Sequence, residues 1–252
     1  MQVSYASAGG SPDVENQDHV LAGERLICVL DGVTPPATGV TGCTHGVRWY
    51  VETLARSLAA RAARANGLPE VLAQSIDQVL RAHDGICDLR HPDTPSAAVA
   101  LFRTSALSAE YLVLCDCAIV LERGTGVSVF TDATRPPERE RRMSAAGPLW
   151  KASVVPEAAF SAVAGSVPLN GADGLRRAGI MTDGVTRAVL SLGVCTWSGL
   201  VEHLASRGPR SLISAIRAAE DSQHESRADR PRKKHDDATA VICEIVHDGL
   251  EG

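Results

Sequence analysis

Two apolar runs that stop at the same dipeptide constrain this chain more than any other feature. Leu26-Ile27-Cys28-Val29-Leu30 runs into Asp31-Gly32, and far downstream Ile180-Met181-Thr182 runs into Asp183-Gly184. Each reads as a buried strand that ends on a carboxylate and a glycine. A third acidic step, Asp236-Asp237, directly precedes the β-branched run Thr239-Ala240-Val241-Ile242, and Asn16-Gln17-Asp18 lies near the N-terminus. Any one Asp-Gly pair is more often a turn than a site. Taken together, several carboxylates at strand ends with no lysine partners would repel one another unless cations joined them.

Bulk properties narrow the function. The chain has 252 residues and a formal net charge of -5, which suits one domain with a large core over residues 1–252 and lacks the basic footprint of a nucleic-acid binder. No apolar stretch approaches the length of a membrane span, and no signal peptide is visible, so no membrane association and a cytoplasmic location are expected. The seven cysteines contain no CxxC pair. They are read as buried thiols acting as small hydrophobes.

Taken in order, the pattern predicts a hairpin through Gly23-Glu24 with Asp18 on one arm and Asp31 on the other. Two helices follow: one over 44–66, with Val47, Val51, Leu54, Leu58 and Ala62 on its apolar stripe, and one opening at Pro69, with Leu72, Ile76, Val79, Leu80, His83 and Ile86 on one face. Short runs over 96–102, 110–115, 118–123 and 126–131 predict an antiparallel meander, with Asp116 in the turn between the middle two. Residues 135–142 read as an exposed charged segment, 151–156 as a further strand, and 156–169 as an Ala-rich helix or lid. A strand over 177–182, helices over 186–192, 197–206 and 209–220, a polar mobile segment over 221–234 and a last strand over 238–246 complete the chain. Arg230 to Lys234 reads as a solvated charge run. His83 is read as a core histidine, and His91 and His235 receive no role.

The ordered set Asn16-Gln17-Asp18, Leu30-Asp31-Gly32, Pro95-Ser96-Ala97, Cys115-Asp116-Cys117, Thr182-Asp183-Gly184 and Asp236-Asp237-Ala238-Thr239 resembles the metal-dependent protein phosphatase 2C (PPM-type) family, and its divergent actinobacterial members above all. The resemblance implies an α+β fold, a four-layer α-β-β-α sandwich of two antiparallel sheets flanked by helix pairs. It also implies a phosphomonoester hydrolase, a serine/threonine protein phosphatase that uses a water bridged by two Mg2+ or Mn2+ ions. By that likeness Asp31 would bridge the ions and the Gly32 carbonyl would bind one, while Asp183 and Asp236 complete the other. Gln17 and Asp18 would hold waters, Asp237 would stand beside them, and Asp116 with Asp183 would take a third ion. An arginine that grips the substrate phosphate in many members falls here at Asp13. His45 and Arg48, beside the Asp31 loop, are candidates for a proton donor and a phosphate contact, and Ser96 is a candidate substrate contact, although a helix-end histidine and a surface arginine are the plainer readings of the first two. The substrate would be a phosphorylated protein or a small phosphorylated metabolite. The alternative is a pseudo-phosphatase acting as a regulatory binding module.

Overall fold

The computed structural model describes residues 1–35, 38–63, 66–83, 85–132, 150–225 and 234–246. The hairpin around Gly23 forms from β2 (Asp18–Ala22) and β3 (Leu26–Gly32), and it pairs Asp18 directly opposite Asp31. Every side chain of Leu26–Leu30 is buried, although a strand alternates its faces. Leu26, Cys28 and Leu30 pack toward two helices, whereas Ile27 and Val29 pack toward a second sheet. A strand covered on both faces has no polar face to show, which is why this run reads as continuously apolar.

The covering helices are α1 (Gly46–Ala59) and α2 (Leu68–Ala82). Val47, Val51, Leu54 and Leu58 of α1 meet Leu72, Ile76 and Val79 of α2 over the sheet. Both helices end earlier than their periodicity predicts: α2 stops at Ala82, His83 caps it, and Ile86 lies exposed beyond the stripe.

The strand runs of the middle third exist, but they do not form a meander. β4 (Ala97–Thr104) pairs with β3 and β5 (Ser108–Leu114), whereas β6 (Ala118–Arg123) and β7 (Gly126–Thr131) belong to the other sheet. The chain changes sheets within Cys115-Asp116-Cys117, where Cys115 takes a left-handed backbone with φ of 71°. Side-chain alternation reports that strands exist, not which partner they choose.

Residues 156–161 form a 3-10 turn rather than a lid, and Val163–Pro168 is strand β8 on the edge beside β5. The strand expected over 151–156 reduces to one bridge, Ala97 to Ala152. β9 (Leu175–Met181) leads into α3 (Asp183–Leu190), and α4 (Trp197–Arg207), α5 (Pro209–Glu225) and β10 (Ala238–Glu244) follow. α5 runs past the expected end, so Asp221 is helical, and it pairs with Lys234 at 3.0 Å. The N-terminal residues form β1 (Gln2–Ala8) on the edge beside β10.

Two five-stranded antiparallel sheets result, ordered β1-β10-β9-β6-β7 and β2-β3-β4-β5-β8. Ile27, Val29, Phe102, Ile119, Ile180 and Val241 fill the space between them, and α3, α4 and α5 cover the outer face of the first sheet over Val120, Met181 and Ile242. This is the expected α-β-β-α sandwich, with three helices instead of a pair on one side. The expectations for residues 135–142, for the charge run over 230–233 and for the part of the mobile segment over 226–233 lie outside the described residues.

Leu54 is fully buried between α1 and its sheet. Leu54→Ala should therefore cost about 2–5 kcal/mol, read as a lower urea midpoint at unchanged slope.

Candidate metal centre

The strand ends collect the acidic residues at one seam between the sheets. β2 and β3 bring Asp18 and Asp31 from one sheet, β9 delivers Asp183 and β10 is preceded by Asp236 and Asp237 in the other, and the turn that changes sheets carries Asp116. Small neighbours leave room for them, since Asp31 and Gly32 face Ala98 and Ala97 across the ladder.

Hydrogen bonds hold the seam. The Thr182 hydroxyl donates to Asp18 Oδ2 at 2.9 Å, and the Thr182 oxygen accepts from the Thr239 backbone N–H at 3.0 Å. The Asp237 carboxylate accepts from Gly10 N and Gln17 N, both at 2.8 Å, and so clamps the 9–17 loop onto the start of β10. The Asp236 backbone carbonyl accepts from Arg217, whose guanidinium also meets buried Glu220 at 3.0 Å. His235 completes this support, with Nδ1 2.7 Å from Glu220.

Two glycines are demanded by close packing. A Cβ at Gly32 would lie 2.5 Å from Val47 Cγ1 and 2.7 Å from the Gln17 carbonyl oxygen, and one at Gly184 would lie 2.0 Å from the Asp237 carbonyl oxygen. Each Asp-Gly step thus lets the chain pass against a neighbouring segment of the site.

The electrostatics are those of crowded carboxylates. Burial, followed by repulsion from Asp18, Asp183, Asp116 and Asp236, holds the Asp31 carboxyl well above the usual range. Burial lifts Asp18 to about 7, with Asp237 and Asp183 adding to it against the Thr239 and Thr182 hydroxyls. Asp183 is raised to about 6, first by burial and then by Asp116 and Asp236, while a hydrogen bond with Asp31 opposes the rise. Asp18 Oδ1 and Gln17 Oε1 are buried without a partner. Crowded oxygen donors with buried lone pairs left over fit hard divalent cations such as Mg2+ or Mn2+.

The remaining candidates make other contacts. Arg48 donates to Glu52 at 2.7 Å and to the carbonyls of Asn16 at 3.1 Å and Asp18 at 3.3 Å, so its guanidinium braces β2. His45 sits between two cysteine thiols, with Nδ1 3.4 Å from Cys87 Sγ. Ser96 is buried, and its carbonyl accepts from Val33 N at 2.9 Å. A cavity of about 550 Å³ opens beside Ser96 and Val33, lined also by Arg90, His91 and Lys151. Lys151 acts electrostatically on Cys115, the neighbour of Asp116. Nothing in the local sequence singled out Lys151, because its position depends on the bridge between Ala152 and Ala97.

No family model and no curated protein matches the chain by sequence. Solved structures do match by fold. The catalytic domain of the serine/threonine protein phosphatase PstP in complex with two manganese ions superposes with a TM-score of 0.63 at 15% identity, covering 98% of both chains. The fold is that of the PPM-type phosphatases. The PPM Ser-Thr phosphatase MsPP from Mycobacterium smegmatis in complex with cacodylate shares this PPM fold with a TM-score of 0.57 at 18% identity, covering 98% of this chain and 99% of its own. PppA, a regulatory component of T6SS in Pseudomonas aeruginosa, does so with 0.59 at 17%, covering 96% of each chain. Among the described residues no helix is long and apolar enough to cross a membrane.

The raised carboxyls carry a pH consequence. A carboxyl whose folded pKa exceeds its unfolded value keeps a proton that unfolding would release, so its stabilising contribution is full below the unfolded pKa and is lost as pH rises through the folded one. With a chelator present, the melting temperature should fall as pH rises through the values of about 6 for Asp183 and about 7 for Asp18. Mn2+ should restore it by several degrees at pH about 8 and by much less at pH about 5. A chelator-treated protein with the same melting temperature at both pH values would contradict this.

Proposed function

We propose that the chain is a Mg2+- or Mn2+-dependent phosphomonoester hydrolase acting on phosphoserine or phosphothreonine in proteins. The observation that carries the reading is the convergence of Asp31, Asp183, Asp116 and Asp236 on one another at the seam, next to the unpartnered buried oxygens of Asp18 and Gln17. Asp31, the Gly32 carbonyl, Asp183 and Asp236 would hold two ions, and Asp116 with Asp183 a third. When bound, such ions supply Lewis acidity toward a phosphoryl oxygen and a water acidified toward neutral pH. Asp18 and Gln17 would orient water at the rim of the cluster, and Thr182 keeps Asp18 in place. No cysteine acts as nucleophile in this scheme: burial pushes the Cys115 and Cys117 thiols up, away from the reactive thiolate form.

The phosphate contact that Asp13 cannot make falls to the cavity. Lys151 and Arg90 line it beside Val33, and either charge can meet a dianionic phosphate entering next to Gly32. A cavity open to solvent at that point suits an extended phosphopeptide, or a small phosphorylated metabolite as the narrower substrate. The chain would work as a cytoplasmic enzyme on such a partner.

Mn2+-dependent release of phosphate from a phosphothreonine peptide tests the reading. Asp31→Asn and Asp183→Asn should each lower kcat/KM by about 100-fold or more, whereas Lys151→Ala should act mainly on KM, by about tenfold. The second reading, a regulatory binding module that keeps the fold without turnover, rests on Asp13 in place of the phosphate-gripping arginine. A folded protein that binds a phosphopeptide, yet shows no Mn2+-dependent turnover of peptides or small phosphomonoesters, would select it.

A further inference from the structure

Away from the carboxylate seam, Cys43, His45, His83 and Cys87 offer ligand atoms that all lie within 4.8 Å of one another. Cys43 Sγ is 3.4 Å from Cys87 Sγ and 3.7 Å from His45 Nδ1, and Cys87 Sγ is 3.4 Å from the same nitrogen. Tetrahedral zinc with ordinary Zn–S and Zn–N bond lengths sets S···S edges of about 3.8 Å and S···N edges of about 3.6 Å. The three separations therefore already sit near those of a filled site.

His83 gives the second, independent indication. It is 2% exposed, and its Nδ1 lies 2.9 Å from the Val79 carbonyl oxygen. A carbonyl only accepts, so Nδ1 carries the proton and Nε2 keeps its lone pair. That Nε2 is buried with no partner. A ring nitrogen bonded to a backbone carbonyl while the other waits with a free lone pair is the arrangement that orients a metal-ligating histidine. Trp49 covers the cluster: its ring stacks on His45 at 4.1 Å and meets His83 edge-on at 4.9 Å. The His45 backbone N–H points at Cys43 Sγ at 3.4 Å, as suits a sulfur carrying negative charge.

We infer that Cys43, His45, His83 and Cys87 form a closed Cys2His2 site for a structural Zn2+ ion, separate from the carboxylate seam. The spacing is C-x-H at the start of α1 and H-x3-C at the end of α2. Four protein ligands leave no open position, which marks a structural and not a catalytic zinc. The ion would tie the open end of the helical hairpin and the segment arriving from the Asp31 loop. Backbone contacts already converge there, with Asp88 N donating to Gly42 O at 2.8 Å. Gly42, at φ of 70°, has no room for a Cβ, which would lie 2.6 Å from the Asp88 carbonyl oxygen.

The test uses the full chain, stripped with a chelator under a phosphine reductant and titrated with Co2+. One equivalent should produce the intense visible bands of tetrahedral cobalt with thiolate-to-metal charge transfer, and one equivalent of Zn2+ should abolish them. Cys87→Ser and His83→Ala should weaken Co2+ binding by at least about tenfold to 100-fold, whereas Asp31→Asn should leave the bands intact and so keep this site distinct from the phosphatase centre. If those variants fail to fold, differential alkylation of the wild-type chain decides. Zn2+ should protect Cys43 and Cys87 and leave half-buried Cys195 at its metal-free rate. Reduced, folded protein that shows only weak octahedral cobalt bands overturns the inference. So does a Cys43–Cys87 disulfide in the isolated protein with no metal uptake after reduction, or alkylation of Cys43 and Cys87 that Zn2+ does not slow.

Discussion

Repulsion among the aspartates at the seam is the condition that the rest of the structure must withstand. Asp31 feels four other carboxyls, and no lysine or arginine is hydrogen-bonded to its side chain among the described residues. The hydrogen bonds at the seam position these carboxyls but do not neutralise them. They are held because each stands at the end of a strand whose body is locked into a doubly covered sheet. Leu26–Leu30 is buried on both faces, as are Ala97–Phe102 and Ala238–Cys243. Burial of a large aliphatic side chain contributes about 1.5–3 kcal/mol, so each run can offset a carboxyl raised by a few pH units. The cross-sheet bond from Thr182 to Asp18, and the Asp237 clamp on Gly10 and Gln17, then decide where the strand ends lie relative to one another. Asp237 is thus a fastener of the N-terminal loop that also stands beside Asp18.

What could be read from the residues follows from how local each signal is. The Gly23 hairpin, with Asp18 opposite Asp31, rests on a short turn between two apolar arms, and it forms as expected. The apolar stripes of α1 and α2 are equally local, apart from their last turns, where capping and not periodicity decides. The meander failed because pairing between strands is a long-range choice. β5 and β6 are separated by three residues, yet they lie in different sheets, and the left-handed Cys115 that makes the crossing possible has no mark in its side chain. Lys151 was missed for the same reason, since only the bridge to Ala97 brings it to the cavity. The family likeness of the short acidic motifs foresaw the sandwich, although no family model and no curated protein matches the chain by sequence.

The cysteines show the limit most plainly. Cys28, Cys115, Cys117 and Cys243 are the buried thiols that their apolar surroundings predict. Cys43 and Cys87 are not, and a search for CxxC pairs passes over them because each is paired in sequence with a histidine. The two halves, C-x-H and H-x3-C, are 38 residues apart from His45 to His83. They meet only because the intervening segment folds as an antiparallel helical hairpin. His83 looked like a core residue on the stripe of α2, and it is buried. Burial alone, however, leaves its Nε2 without a partner, and that lone pair distinguishes a ligand from a packed ring.

Two proposed ion sites then share one connecting segment, and their donors keep the ions apart. The seam presents carboxylate, amide and backbone oxygens, which suit Mg2+ or Mn2+, and the hairpin presents thiolate and imidazole, which select zinc. Burial holds the thiols beside the seam, Cys115 and Cys117, up and away from the thiolate form, and the hairpin cluster carries no carboxylate among its ligand atoms. Zinc binds most sites more tightly than magnesium does, so a chain holding both needs a soft site tight enough to fill first. A closed Cys2His2 cluster meets that need, while the open, repelling carboxylates favour small hard ions present in excess. His45 belongs to this division of labour. Beside the Asp31 loop it looks like a proton donor to the reaction, yet its Nδ1 faces two sulfurs.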